Sequence, residues 1–289
     1  MQTTEVQRAV TAASSTVRAL GLQVDDAVVL QNSNKLALRL LPCDAFASVA
    51  PMAQQIAQFE VELAGRLAET NSPAAALDPR VPQHVFERDG FAISFWTYYA
   101  PATPDLAAAD YANALHRLHA GMRTIEITAP HFTDRVAEAE QLVAIRERTP
   151  DLTDANRELL SGMLESFRRL IVGRGATEQL LHGEPHPGNL LNTKIGPLFI
   201  DFETCCRGPT EFDLAHVPEE VTAHYPGIDR AMLNDCRALV LAMVAAWRWD
   251  AGDQFPNGRQ WAEHFIWALR KGPPWPSLQA LARELEGRR

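Results

Sequence analysis

Apolar positions recur along this chain with two different periods, and the period changes near residue 100. Val6, Val10, Val17 and Leu20 lie at helical spacing, so a helix is expected over Thr4 to Leu20, closed by Gly21. Alternation follows. AVVLQ (Ala27 to Gln31), KLALRLL (Lys35 to Leu41) and AFASV (Ala45 to Val49), separated by the turn signals NSN and PCD, read as an antiparallel meander. In the second of these, Leu36, Leu38 and Leu40 share one face and Lys35, Ala37 and Arg39 the other. After Pro51, the spacing of Ile56, Phe59, Leu63 and Leu67 predicts a helix whose opposite face carries Glu60 and Glu62. QHVFER and FAISFWTYY are two further strands around Asp89-Gly90, and YAPATP then breaks the pattern as a hinge.

Beyond the hinge the spacing is helical. Thr103 is placed to cap a helix with Pro104 in its first position and Tyr111, Leu115, Leu118 and Met122 along one face. A second helix starts near Thr133. A third runs from Asp154 to Val172, carries Leu160, Leu164, Phe167 and Ile171, and is followed by Gly173. The stretch LLHGEPHPGNLL (Leu180 to Leu191) interrupts, a short hairpin forms from NLLNT and PLFID, and helices resume at about Glu211, Asp229, Gly258 and Pro276. The expected organisation is a β-rich part over residues 1–99 and a larger helical part over residues 100–289, an α+β arrangement.

Composition narrows the partners. Hydrophobic residues at 46% and charged residues at 22% are those of a globular chain with ample core. Lys and Arg form no block, which excludes a nucleic-acid footprint, and the net charge of -9 favours a cationic small molecule over an anionic one. Cys43, Cys205, Cys206 and Cys236 lack CxxC spacing, so reduced thiols are expected, with the adjacent pair packed rather than redox-active. No run of about 18 apolar residues exists and the N-terminus lacks a basic start with an apolar stretch. The expectation is a cytoplasmic protein without a membrane span.

His182, Glu184 and His186 alternate, yet Pro185, Pro187 and Gly188 forbid the helix that a two-histidine zinc motif needs and disfavour a strand. The stronger pattern lies downstream. Asn189 follows Glu184 by five residues, and Asp201 stands twelve further on, at the end of an apolar strand and before Phe202 and Glu203. A carboxylate, an Asn and an Asp on two loops joined by a hairpin are what phosphoryl transfer requires: one orients the attacking hydroxyl, and two oxygen ligands hold a Mg2+ bridging the phosphates.

With HGEPHPGN, FIDFE and GPTEFDLAH together over Leu180 to His216, the chain resembles the aminoglycoside phosphotransferase and choline kinase-like family, whose pattern is H-G-D-x-x-x-x-N, I-D-x-E and G-x-x-x-x-D-L-A. The resemblance implies a two-lobed protein-kinase-like fold that uses ATP or GTP with Mg2+ to phosphorylate a hydroxyl of a small molecule such as an aminoglycoside or amino-alcohol. It places Glu184 at the catalytic acid, Asn189 and Asp201 at metal-ligand positions, and Glu203 as a direct or supporting ligand. It places His182 and Asp213 as braces of the catalytic loop, and Thr97, Tyr98 and Tyr99 at the hinge that binds adenine. Glu60 falls on the helix acid that pairs with a phosphate-binding base. Trp247, Asp250 and Asp253 fall in the region that lines the acceptor pocket, where aromatic faces and acids would suit an amine.

Three departures follow. Glu184 stands where the family has Asp, and the extra methylene moves the carboxylate by over ~1 Å, a misplacement that can cost on the order of 100-fold in rate. If AFASV is the third strand, Ser48 occupies the place of the phosphate-binding base; if KLALRLL is, Arg39 does, and Lys35 or Arg39 could reach in from a neighbouring strand. The glycine-rich loop is reduced to QNSN. These departures keep open a nucleotide-binding pseudokinase that senses or scaffolds, and a hydrolase built on the two histidines as a third reading.

Overall fold

Leu36, Leu38 and Leu40 are fully buried, as their alternation requires, and they anchor an antiparallel five-stranded sheet. The computed structural model describes residues 1–52, 56–102 and 106–287, which form two units. The first comprises Met1–Leu106, Thr124–Ile127 and Leu190–Glu203; the second comprises Ala107–Arg123, Thr128–Asn189 and Thr204–Arg289.

The first unit opens with α1 (Thr3–Ala19), then β1 (Val24–Asn32), β2 (Leu36–Pro42), β3 (Ala45–Pro51), α2 (Ile56–Ala68), β4 (Phe86–Arg88) and β5 (Phe91–Thr97). The strand order is β1-β2-β3-β5-β4. Ala9, Ala12, Ala13 and Val17 of α1 pack on Leu36, Leu38, Leu40, Val49 and Ile93. Small residues on the helix let it lie close to the sheet, and each leucine so buried contributes about 1.5–3 kcal/mol. Phe46 and Trp96 point to the other face, against Val61 and Ala64 of α2 and Leu77.

In the second unit, α3 (Ala108–Met122), α4 (Phe132–Ala144) and α5 (Asp154–Gly173) precede β6 (Glu178–Leu181). The chain then contributes the hairpin β7 (Leu190–Thr193) and β8 (Gly196–Phe199) to the first unit and returns to the second in β9 (Cys206–Pro209). Two short helices, α6 (Thr210–Leu214) and α7 (Glu219–Thr222), lead to α8 (Arg230–Arg248), α9 (Gly258–Lys271) and α10 (Leu278–Glu286). Among the described residues no helix is long and apolar enough to cross a membrane.

Most predicted elements are present, with instructive differences. Lys35 is not in the strand: β2 begins at Leu36, and Lys35 ends the preceding turn. QHVFER yields only the three residues of β4. The expected cap at Thr103 and Pro104 lies outside the described residues, and α3 runs from Ala108. The second helix starts at Phe132, next to the expected Thr133, with His131 as its N-cap in a reciprocal capping box with Asp134. The pairing of β6 with β9 has no counterpart in the sequence pattern, because four-residue strands carry too little periodicity to read.

Candidate active site

In the first unit, three carboxylates converge on one ammonium. Lys35 Nζ lies 3.1 Å from Glu60 Oε2, 2.7 Å from Asp201 Oδ1 and 3.1 Å from Glu203 Oε2, and Asn34 Nδ2 donates to Glu203 Oε1 at 3.0 Å. Burial works against the Lys35 charge, but Glu60, Asp201 and Glu203 together outweigh it and raise its pKa. Glu60 is the acid that yields. Burial, helped by repulsion from Asp201 and Glu203, pushes it up to about 7 against the pull of Lys35.

The local sequence explains how these groups arrive. Phe199 and Phe202, both fully buried, flank Asp201, while the Phe199 amide donates to Pro73 O at 2.8 Å and its carbonyl accepts from Ala75 N at 2.9 Å. Between these anchors Asp201 adopts φ +65°, the left-handed region that a non-glycine residue occupies at a cost. Glu60 projects from α2 onto the sheet face that carries Phe46.

That face carries the candidate positions for the base. Ser48 is two residues from Phe46 on β3 and so shares its face; in the register of β2 with β3, Ser48 pairs with Ala37. Lys35 precedes Ala37 by two and comes from the same side. The ammonium of Lys35 therefore stands one strand over from Ser48, in the turn before β2. Arg39 does not join it: its Nε donates to Asp44 Oδ1 at 2.6 Å and its guanidinium lies 4.1 Å from the centre of the Tyr98 ring. Of the hinge residues, Thr97 donates its amide to Ala76 O at 2.9 Å, and the Tyr99 hydroxyl accepts from Ala76 N at 3.3 Å.

In the second unit, β6 delivers His182, Gly183 and Glu184. Asp213 is fully buried and accepts from His182 N (2.9 Å), Gly183 N (2.8 Å) and His119 Nε2 (2.9 Å), and His119 Nδ1 meets the Tyr225 hydroxyl at 2.7 Å. Burial would raise the Asp213 carboxyl, but these donors and the charge they bring hold it below the usual range. Gly183 has φ +90°, and a Cβ there would overlap the Thr204 carbonyl, so only glycine fits. The prolines shape the rest. The Tyr111 hydroxyl donates to Pro185 O, and Pro187–Asn189 form a single tight helical turn. Asn189 Nδ2 donates to Glu184 O at 3.0 Å, which commits the amide nitrogen to the loop backbone. His182 is buried with Nδ1 facing the Glu184 amide at 3.4 Å, and His186 Nδ1 accepts from Gly188 N at 3.0 Å.

The Glu184 side chain meets a residue that sequence reasoning missed. Arg135 of α4 donates to Glu184 Oε1 and, at 3.1 Å, to Gly183 O, while its guanidinium sits 5.3 Å from the centre of the Trp247 ring. Burial would lift the Glu184 carboxyl; the charges of Arg135 and His216 and the Arg135 hydrogen bond reverse this and lower it. A signal for Arg135 existed. A cation within the first turns of a helix opposes the helix dipole, so it is retained for some other partner. Trp247 thus meets the loop of Glu184 through Arg135, but the two acids beyond it do not: Asp250 is paired with Arg148 and Asp253 with Arg248.

A lysine held by acids on the face of a small antiparallel sheet, and a loop with a carboxylate and an asparagine braced by a buried aspartate, are the parts of a kinase-like phosphotransferase. The chain belongs to the APH phosphotransferase enzyme family, whose model matches residues 17–268. A search of curated proteins finds no matching sequence. Among solved structures the chain is similar to the amicoumacin kinase hAmiN in complex with AMP-PNP, Ca2+ and Ami, with TM-score 0.70, 11% identity, and 95% of this chain and 98% of that one covered. It is similar to the choline kinase LicA from Streptococcus pneumoniae, with TM-score 0.66, 15% identity and coverage of 90% and 98%. The GDP complex of wild-type aminoglycoside 2'-phosphotransferase-IIIa matches with TM-score 0.66, 14% identity and coverage of 89% and 95%. At these identities the likeness is one of fold.

Proposed function

We propose that the protein transfers the γ-phosphate of ATP or GTP to a hydroxyl of a small molecule, with Mg2+. The observation that carries this reading is the convergence of Glu60, Asp201 and Glu203 on Lys35. Three acids around one base leave surplus negative charge beside a cation of the right kind to meet phosphate, and Asp201 and Glu203 are hard oxygen donors that suit Mg2+. Bound there, Mg2+ would neutralise charge developing on the transferred group. Lys35 would hold the phosphates, Glu60 would hold Lys35, and Glu184 would orient the acceptor hydroxyl. Tyr98 and its neighbours would receive the base of the nucleotide.

The missing β3 base was one of two supports for a pseudokinase, and Lys35 offers a base on the same face. The acceptor is open in one respect: with Asp250 and Asp253 neutralised by arginines, recognition of a cationic acceptor does not rest on them. The test is Mg2+-dependent transfer of labelled γ-phosphate from ATP and GTP to a panel of amino-sugars, amino-alcohols and uncharged polyols. Binding of nucleotide with Mg2+ but transfer to none of them would leave the pseudokinase as the better reading.

Lys35 supplies a sharper check. Lys35→Ala should lower kcat/KM by about 100-fold, the loss typical of one well-placed donor to a charged transition state. Ser48→Lys in that background returns an ammonium to the same face one strand away and should recover part of it. Wild-type kcat/KM in Lys35→Ala would remove Lys35 from the phosphate site.

A further inference from the structure

We propose that Arg135 is a positioning residue that pins one oxygen of Glu184 so that the other is presented to the acceptor hydroxyl; this rests on the phosphotransfer reading above. The family's shorter acid needs no such tether. Glutamate adds a rotatable bond, and an untethered carboxylate at the end of it would spread over several rotamers, few of which orient a hydroxyl for in-line attack.

The structure supplies the tether from three directions. The loop backbone is fixed beneath Glu184 by the two amides that Asp213 accepts and by the glycine-only contact of Gly183 with Thr204. The carboxylate is fixed through Oε1 by Arg135, while among the described residues Oε2 accepts no hydrogen bond. Arg135 is fixed in turn, with a second donor on Gly183 O and the face of Trp247 against its guanidinium. Arg135 thus ties the backbone and the side chain of the same loop together, which a lysine, with a single ammonium, would do only in part. The side chain of Glu184 remains 23% exposed.

The experiment is a double-mutant cycle on the intact protein, read as formation of ADP from Mg2+-ATP and of GDP from Mg2+-GTP, with water as the acceptor and then with the hydroxyl panel. Glu184→Gln should lower kcat by about 100-fold and Arg135→Met by about 10- to 100-fold, with KM for nucleotide unchanged in both. The double variant should be no slower than Glu184→Gln alone, because Arg135 acts only through Glu184. Arg135→Lys should recover part of the loss. If Arg135→Met fails to fold, the same cycle run with Arg135→Lys decides the matter. A kcat unaffected by either Arg135 variant, or losses that multiply in the double variant, would overturn the proposal and make Arg135 a purely structural residue. Those results are distinct from a wild-type protein that turns over neither nucleotide with any acceptor, which would overturn the phosphotransfer reading together with the role built on it.

Discussion

Asp201→Asn protein is expected to transfer phosphate about 10³-fold more slowly than wild type and to melt no lower. The two halves of this result have separate causes. Asp201 is proposed as a metal ligand next to the transferred group, and an amide in its place keeps the shape but loses the charge. In the water-poor surroundings of a phosphoryl-transfer site, loss of one such group costs two to several powers of ten in rate. Stability runs the other way. The residue at this position holds φ +65°, and Asn is the side chain besides glycine that best tolerates the left-handed region. The substitution also removes one of three acids crowding Lys35, leaving Glu60 and Glu203 to pair with it and relieving part of the repulsion on Glu60. Transfer rates across a Mg2+ titration, with a thermal melt of each protein, test both halves. Wild-type transfer at saturating Mg2+ would show that Asp201 is not a ligand that matters.

What could be read from the sequence depended on how local the information was. KLALRLL announced its buried face because alternation over seven residues is a local signal, and all three of its inward leucines are fully buried. The loop from His182 to Asn189 and the acid at Asp201 were legible for a related reason: prolines, a glycine and an apolar strand bracket them within about twenty residues. Lys35 was half legible. It is one of only three lysines in the chain, but the pattern assigned it to the strand rather than to the turn beside it, and one residue of difference decides which groups it can reach. Arg39 looked equally suitable until its neighbours Asp44 and Tyr98 claimed it. Arg135 stood out as a cation in the first turns of its helix, but that it partners Glu184 was not legible. Arg135 lies 49 residues upstream, and nothing in its own helix names its target. Asp250 and Asp253 illustrate the converse, since acids that seem free in a sequence were already balanced by Arg148 and Arg248.

Asp213→Asn should destabilise the helical unit by about 3–5 kcal/mol, the usual consequence of breaking a buried, charge-assisted network. The reason is a count of acceptors. Asp213 receives three N–H groups, two on Oδ2 and one on Oδ1. Asn retains a single acceptor oxygen and turns an NH2 group toward at least one backbone N–H, so donor meets donor at a fully buried position. His119 cannot adapt cheaply, because the tautomer that donates from Nε2 is also the one whose Nδ1 accepts from the Tyr225 hydroxyl. A melting temperature lower by roughly 10 °C is the expected reading. The pH dependence follows from the sign of the shift. A carboxyl whose folded pKa is depressed contributes stability that is complete above its unfolded value of about 4 and is lost as pH falls through the folded value. The gap between wild type and Asp213→Asn should therefore hold from neutral pH down to about 4 and narrow below it. A gap that is small at neutral pH, or that widens with acid, would mean that the catalytic loop is not held by this carboxylate; the loop's geometry, and with it the place of Glu184, would then have to come from Arg135 and Tyr111 alone.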